Sequence, residues 1–435
     1  MFDEKLFLEL NKEINSMKIF DTHEHLMYEY ERREKDIDFF YFFTLYTSTD
    51  LISSGLDIKG FYKLHDCTIK LEDKWKIFSP YWGYMKNTNY AKVIKIAVKD
   101  LYKVDEIDFN SIQIISKKMQ DYKKTNYYDD ILVKKSKIKY ILNDLDSVDK
   151  KIISKKSPDK DYYLPVLRLD VPFTVNSRNK IEQLEREYDV SIDFFSDFLG
   201  LIDKIFEDKN GKIYGLKIAI GYWRDINFSE VTFDAAEKSF QKILKLKKRD
   251  YFFEDCVALS ELSEFQDYIY HYSIRKAIDY KLPVQIHTGP LELNTNDIRN
   301  TNPLYLTDLL LKYKNGKFDI FHAGYPYTDE LILMIKMYPN SYFNLCWIPA
   351  VSEKLYMDIL DLLIELLPSN KIFGFGGDYF FIEGTYGAQK IARKAITQVL
   401  YNRVKDKYFT FEEAIEFAHR ILYENPKNIY LKNLN

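Results

Sequence analysis

Two histidines one residue apart, His23 and His25, end the short apolar run in KIFDTHEHLM. Alternate residues of a strand share a face, so these imidazoles project together and Glu24 points away. Imidazole nitrogens held side by side suit zinc and similar divalent cations. Taken alone, H-x-H fits a pair of hydrogen-bonded surface histidines equally well. Three later groups change the balance: His287 follows PVQI, His322 follows FDIF, and Asp378 follows GFGG. Four of the seven histidines and one aspartate thus sit at the carboxyl ends of β-type runs, which points to one site for metal binding and acid–base work.

Other residues near those ends are weaker candidates. Lys217, inside GLKIAI, would be costly to bury unless paired or ligated. It is read as an anion-binding group, as a carbamate bridging two metals, or as an ordinary lysine snorkelling outward. Arg32, Arg33, Arg168, Tyr222 and Arg224 follow strand ends. Guanidinium forks suit carboxylates and phosphates, so Arg32, Arg168, Arg224 and Tyr222 are the candidate substrate contacts. Taken one at a time, a surface ion pair explains each arginine as well. His271 and His419 are expected to be solvated, His65 to line the insertion, and Cys346 and Trp82 to serve packing.

The elements that must position these groups recur along the chain. β-type runs enter at Met17, span Ile138 to Asp144, end at Asp170, span Lys212 to Tyr222, and end at Gly289, Gly324, Trp347 and Asp378. Helical patterns separate them. Eight such repeats predict an α/β fold, a (β/α)8 TIM-type barrel whose strands end at a shared catalytic mouth. An open doubly wound sheet is the alternative, but no glycine-rich phosphate loop follows the first run. Residues 27–136 are far too long for one βα connection and predict a helical insertion over that mouth, within a single barrel of residues 1–435. Near the end, Thr410 and Glu413 form a predicted capping box, and Asn425-Pro426 is expected to stop that helix.

Composition narrows the partners. The 435 residues carry a formal charge of only −3, which offers no global field for nucleic acid or an anionic membrane. Cys67, Cys256 and Cys346 are scattered and odd in number, which suits a reducing compartment rather than a disulfide framework. With neither a signal-peptide core nor a spanning apolar run, a cytoplasmic protein acting on a small molecule is expected, and a homo-oligomer.

At this level the chain resembles the amidohydrolase superfamily, in its amidohydrolase-related branch. The likeness rests on FDTHEH, QIHTGP, NPLYL, FHAGYPYTDEL, YPNSYFNLCWIP and GFGGDYFF, and runs from Ile19 to about Tyr430 except for the insertion. HTG, HAGYP, IP and GLKIAIGYWR look similar to the amidohydrolase domain fused to some glutamine-synthetase-like proteins. The resemblance implies metal ligands at His23, His25 and His287, with Asp378 ligating or adjacent and His322 on strand six. It implies one zinc ion, or two if Lys217 is a carbamate. Asp378 would be the general base, and His322 would complete the metal shell or donate to an oxyanion. Hydrolysis of an amide, lactone or related bond is the expected reaction. Uronate isomerisation is the alternative, because the long insertion resembles that of uronate isomerases; decarboxylation also occurs in the superfamily. A barrel that keeps its metal only for binding is the non-enzymatic reading.

Overall fold

Short parallel strands carry the site. In the computed structural model, which describes residues 3–144, 158, 160–246 and 255–431, β1 (Ile19–Glu24) pairs with β2 (Ile138–Asn143), and β2 with β3 (Tyr163–Pro165). A second run of parallel pairings joins β4 (Leu167–Arg168), β5 (Leu216–Ile218), β6 (Val284–Ile286), β7 (Phe318–Ile320), β8 (Ser341–Asn344) and β9 (Ile372–Phe373) in that order. β3 and β4 are two halves of one stave, interrupted at Val166. The N–H of Val166 still reaches Asn143 of β2 at 3.2 Å, whereas that of Leu167 turns to Gly215 ahead of β5 at 2.9 Å. Closure comes at the other seam, where Thr22 N–H donates to Phe375 O at 3.1 Å and Asp378 N–H to His23 O at 2.9 Å. The eight staves form a (β/α)8 barrel, as the spacing of the runs predicted.

The staves are shorter than expected. The fourth run was read over Lys212 to Tyr222, but only Leu216–Ile218 is strand, because Ile220–Tyr222 winds into a 3-10 turn that carries Tyr222 over the mouth. Phe20, Leu142, Leu164, Val166 and Phe373 pack with Tyr430 as a plug at the opposite end. The Tyr430 hydroxyl donates to Asp319 at 2.6 Å and accepts from Gln285 at 3.0 Å, which satisfies two polar groups inside the barrel. Tyr430 lies on a short helix, Asn425–Tyr430, that Asn425-Pro426 starts rather than stops. Proline at the first helical turn lacks only an N–H that would have no intrahelical partner there. The Thr410–Glu413 capping box forms as predicted.

Between β1 and β2 the chain is helical from Glu29 to Lys135. Its core is aromatic: Phe43 meets Phe78 at 4.6 Å, and Phe78 stacks on Trp82 at 5.6 Å between centroids. These helices dock on the barrel by polar pins. Asn89 donates to the carbonyls of Pro349 and Ala350 at 2.7 and 2.9 Å, and Arg32 makes a bidentate pair with Glu383 at 2.6 and 2.8 Å. His271, expected at the surface, is buried in helix Ser263–Asp279. Both faces of that helix are covered, and the ring lies between the Tyr313 hydroxyl and the Phe228 carbonyl, each at 3.0 Å.

Candidate metal centre

The ends of β1, β6, β7 and β9 bring the polar groups together. His23 and His25 share a face of β1, with ring centroids 4.7 Å apart. Glu24, pointing the other way, passes under Gly377 and accepts the N–H of Tyr379 at 2.6 Å. A Cβ on Gly377 would stand 1.9 Å from the Glu24 carboxylate, so the glycine before Asp378 is sterically required. Asp378 itself has φ +61°, His322 +59° and Trp347 +68°, so three side chains around one spot rest on left-handed backbone. Such strain persists where surrounding structure enforces it, and it concentrates at functional sites.

Distances define one cluster. Oδ1 of Asp378 lies 3.2 Å from His25 Nε2 and 3.7 Å from His23 Nε2, and Oδ2 lies 3.6 Å from His322 Nε2. His322 Nε2 stands 3.2 Å from His287 Nδ1. His25 Nδ1 faces the Asp144 carbonyl at 2.6 Å, His322 Nδ1 the Cys346 carbonyl at 3.1 Å, and His287 Nε2 the Pro290 carbonyl at 2.8 Å. A carbonyl only accepts, so each of these ring atoms carries the N–H, and the other nitrogen of each ring turns a lone pair into the cluster. Holding the outer N–H on a carbonyl is how proteins orient metal-binding histidines.

This donor set fits a divalent cation. Lone pairs and a carboxylate facing one another at 3.2 Å repel unless a proton or a cation lies among them. For zinc–ligand bonds of about 2.05 Å in tetrahedral array, ligand atoms stand roughly 3.3 Å apart, close to both short separations. Atoms of His23, His25 and Asp378 form one tight group, and those of His322, Cys346 and Asp378 another. Burial raises the Cys346 thiol well above its usual value, which keeps it protonated and in a packing role.

Electrostatics follow the geometry. Burial would raise the Asp378 carboxyl, but His23, His25 and His322 hold it well below the usual range. Burial pushes His322 down to about 4, and His23 and His287 well below their ordinary value. Burial also opposes the charge on His25, yet Asp378 and Asp144 raise it. Lys217 does not snorkel outward. Its Nζ is buried 3.6 Å from the centroid of the Phe321 ring, with no hydrogen-bond partner among the described residues, and burial lowers it to about 8.

The expected substrate contacts fare unevenly. Tyr222 lines the site, its ring 5.3 Å from His287. Arg168 sits beside the cluster, but Asp144 at 3.0 Å and Asp170 at 2.6 Å hold it. Arg32 and Arg224 are held by protein groups: Glu383 takes both ends of the Arg32 fork, and Asp267 at 2.8 Å with the Asn227 carbonyl takes Arg224. Burying a guanidinium demands such partners, and these are protein carboxylates. Two site residues escaped the sequence reading. Tyr46, in the insertion, is buried against Trp347 at 4.2 Å, and its hydroxyl feels the Asp378 charge. Glu292, in the loop after His287, feels His25, Asp378 and Arg168. Neither has a motif; both reach the site only through the fold.

Comparison with known proteins agrees with this geometry. Residues 259–431 match the family described as Amidohydrolase. Protein fluG of Emericella nidulans is 33% identical over 154 residues, covering 35% of this chain and 18% of fluG, so the chain spans less than a fifth of that relative. The uronate isomerase of Thermotoga maritima superposes with a TM-score of 0.72 at 14% identity, covering 99% of this chain and 98% of the other. For the uronate isomerase of Bacillus halodurans the TM-score is 0.70 at 13% identity, covering 99% and 97%. A Lactobacillus casei protein assigned as a metal-dependent hydrolase gives 0.65 at 16% identity, covering 98% of both chains. The structural likenesses establish the fold. The family match covers the part of the chain that carries His287, His322 and Asp378, so over residues 259–431 the chain is similar to the amidohydrolase family.

Proposed function

We propose that this protein is a metal-dependent hydrolase of a small polar substrate, acting on an amide, lactone or related C–N or C–O bond, and that residues 27–136 cap a single barrel of residues 1–435. The observation that carries this reading is the ring of lone pairs around Asp378, each aimed inward by a carbonyl on the far side of its imidazole. His23, His25 and His287 would hold the cation, with Asp378 and His322 beside it. A single zinc ion is the reading adopted; Lys217, turned onto Phe321, supports a second metal only if it is carbamylated and swings away from that ring. Bound there, the cation supplies Lewis acidity that brings the pKa of a water from nearly 16 toward about 7.

Asp378 takes a proton from the attacking water as its oxygen bonds to the carbonyl carbon. The same carboxyl then gives the proton to the departing nitrogen as the C–N bond breaks, so amide and water become acid and amine. His322 is neutral and its Nδ1 hydrogen is committed to Cys346, so Nε2 can accept or ligate but not donate to an oxyanion. Uronate isomerisation is the second reading, favoured by likeness to uronate isomerases over the whole chain, insertion included. Against it stands the pairing of Arg32, Arg168 and Arg224 with protein carboxylates, which leaves a uronate carboxylate poorly received. Zinc content and steady-state hydrolysis of an amide and lactone panel, beside a uronate panel watched for ketose, test the choice. Ketose formation without any hydrolysis defeats the hydrolase reading.

A further inference from the structure

The seam that closes the barrel carries one residue too many on the side of Asp378. Thr22 N–H donates to Phe375 O at 3.1 Å and His25 N–H to Tyr379 O at 3.0 Å, so the chain advances three residues on the β1 side and four on the other. An extra residue of this kind bends the strand, interrupts the ladder and re-aims a side chain. The side chain re-aimed here is Asp378, at φ +61°, whose own N–H still reaches the His23 carbonyl at 2.9 Å. The amides on either side of it, Gly377 and Tyr379, are buried and need acceptors. Two carboxyls of β1 supply them. Gly377 N–H donates to Asp21 Oδ1 at 3.2 Å, which also accepts from His23 N–H at 3.3 Å, and Tyr379 N–H donates to Glu24 Oε2 at 2.6 Å. Both acids are fully buried, and the hydrolytic steps use neither. Three consecutive amides, those of Gly377, Asp378 and Tyr379, thus all end on β1. Freed from those contacts, Asp378 could return to negative φ, which would turn its carboxyl away from His25 Nε2, now 3.2 Å from Oδ1.

We infer that Glu24 is a positioning residue: with Asp21 it holds the Gly377–Tyr379 turn against β1, and through that turn it keeps the Asp378 carboxyl among His23, His25 and His322. Its effect on turnover rests on the hydrolase reading; its effect on the placement of Asp378 does not. Gly377 is the other half of the device. A Cβ there would fall 1.9 Å from Glu24 Oε1, so any larger residue drives the carboxyl off the Tyr379 amide.

The test uses the full zinc-loaded chain and the amide or lactone of the panel that it cleaves fastest. Glu24→Ala is expected to lower kcat by about tenfold to hundredfold, with KM and zinc content changed by less than about twofold. Gly377→Ala should show a similar loss, and the double variant no more than the larger single loss, because both remove the same contact. Glu24→Gln keeps an oxygen for the Tyr379 amide and should stay within about threefold of the wild type. In an Asp378→Asn background, Glu24→Ala should change the residual rate by less than about twofold, which a merely structural role would not predict. Where Glu24→Ala does not fold, Glu24→Asp, one methylene short of Tyr379, replaces it with the same expectations. Crystal structures of the variants give a readout independent of turnover. Asp378 Oδ1 should stand about 1 Å or more farther from His25 Nε2 in Glu24→Ala and Gly377→Ala, and in place in Glu24→Gln. If no substrate is cleaved but the carboxyl moves in this pattern, the hydrolase reading fails and this one stands. An unmoved Asp378, additive losses in the double variant, or a Gln variant as impaired as Ala overturns it.

Discussion

Nδ1 of His287 and Nε2 of His322 face each other across 3.2 Å, each as a lone pair, because the opposite nitrogen of each ring donates to a backbone carbonyl. Two acceptors at that distance form a contact that a cation or a shared proton must relieve. The metal-free protein therefore carries repulsion that metal removes, and metal binding should raise Tm by an amount that grows with the logarithm of free zinc over its dissociation constant. His287→Gln places an amide donor against His322. It should weaken zinc binding at least tenfold while leaving the metal-free Tm unchanged or higher. Titrated zinc and thermal melts check this; a lower metal-free Tm with intact zinc affinity would refute the assignment of lone pairs.

Removing the base should separate binding from turnover. Asp378→Asn keeps the shape and an oxygen toward the histidines, so zinc should stay largely bound while kcat falls by about 10² to 10⁴. His23→Ala or His25→Ala should instead empty the site. Tyr46→Phe removes only the hydroxyl that feels the Asp378 charge. Its kcat should drop by about tenfold with zinc content intact, the scale of one polar contact to a charged group. An unchanged rate in Asp378→Asn would remove that residue from the mechanism.

Arg32 and Glu383 are 351 residues apart in sequence and bonded at both ends of the fork, with Tyr102 adding a hydroxyl to the same carboxylate at 2.6 Å. The pair fastens the start of the insertion to the helix that follows β9. Arg32→Ala leaves a buried carboxylate uncompensated, at a cost of about 3–5 kcal/mol. The expected signature is a lower Tm. Were Arg32 a substrate contact, KM would rise with Tm unchanged, and chemical denaturation beside kinetics distinguishes the two.

The barrel, and the gathering of His23, His25, His287, His322 and Asp378 at one end of it, were legible because their signals are local. A β-type run ending in His or Asp is visible within ten residues, and eight β-type runs in all constrain the topology. The partners of the arginines were not legible. Nothing near Arg32 or Arg224 announces Glu383 or Asp267, and a fork suited to a substrate carboxylate is equally suited to a protein one. Tyr46 and Glu292 carry no motif because their position depends on how the insertion and the loop after His287 close over the mouth. His271 was misplaced by treating its helix as having one covered face. The turn at Phe228 and the Tyr313 hydroxyl cover the other.

That burial of His271 has a consequence for pH. Desolvation first, and then the nearby Lys312 and Arg275 charges, hold its pKa below the usual 6.5, while Glu230 and the Phe228 carbonyl oppose them weakly. The unfolded chain thus binds the proton more readily than the folded one. Stability from this residue is complete above about pH 6.5 and is lost as pH falls toward the depressed folded value. His271→Gln can keep a donor to Phe228 without titrating. With zinc-saturated protein, the fall in Tm between pH 7.5 and pH 5.5 should be smaller in His271→Gln than in the wild type. The histidines around Asp378 are the same in both proteins, so the difference between the two curves isolates His271. Parallel curves would mean that the ring charges without penalty, and that the pocket between Tyr313 and Phe228 opens to water.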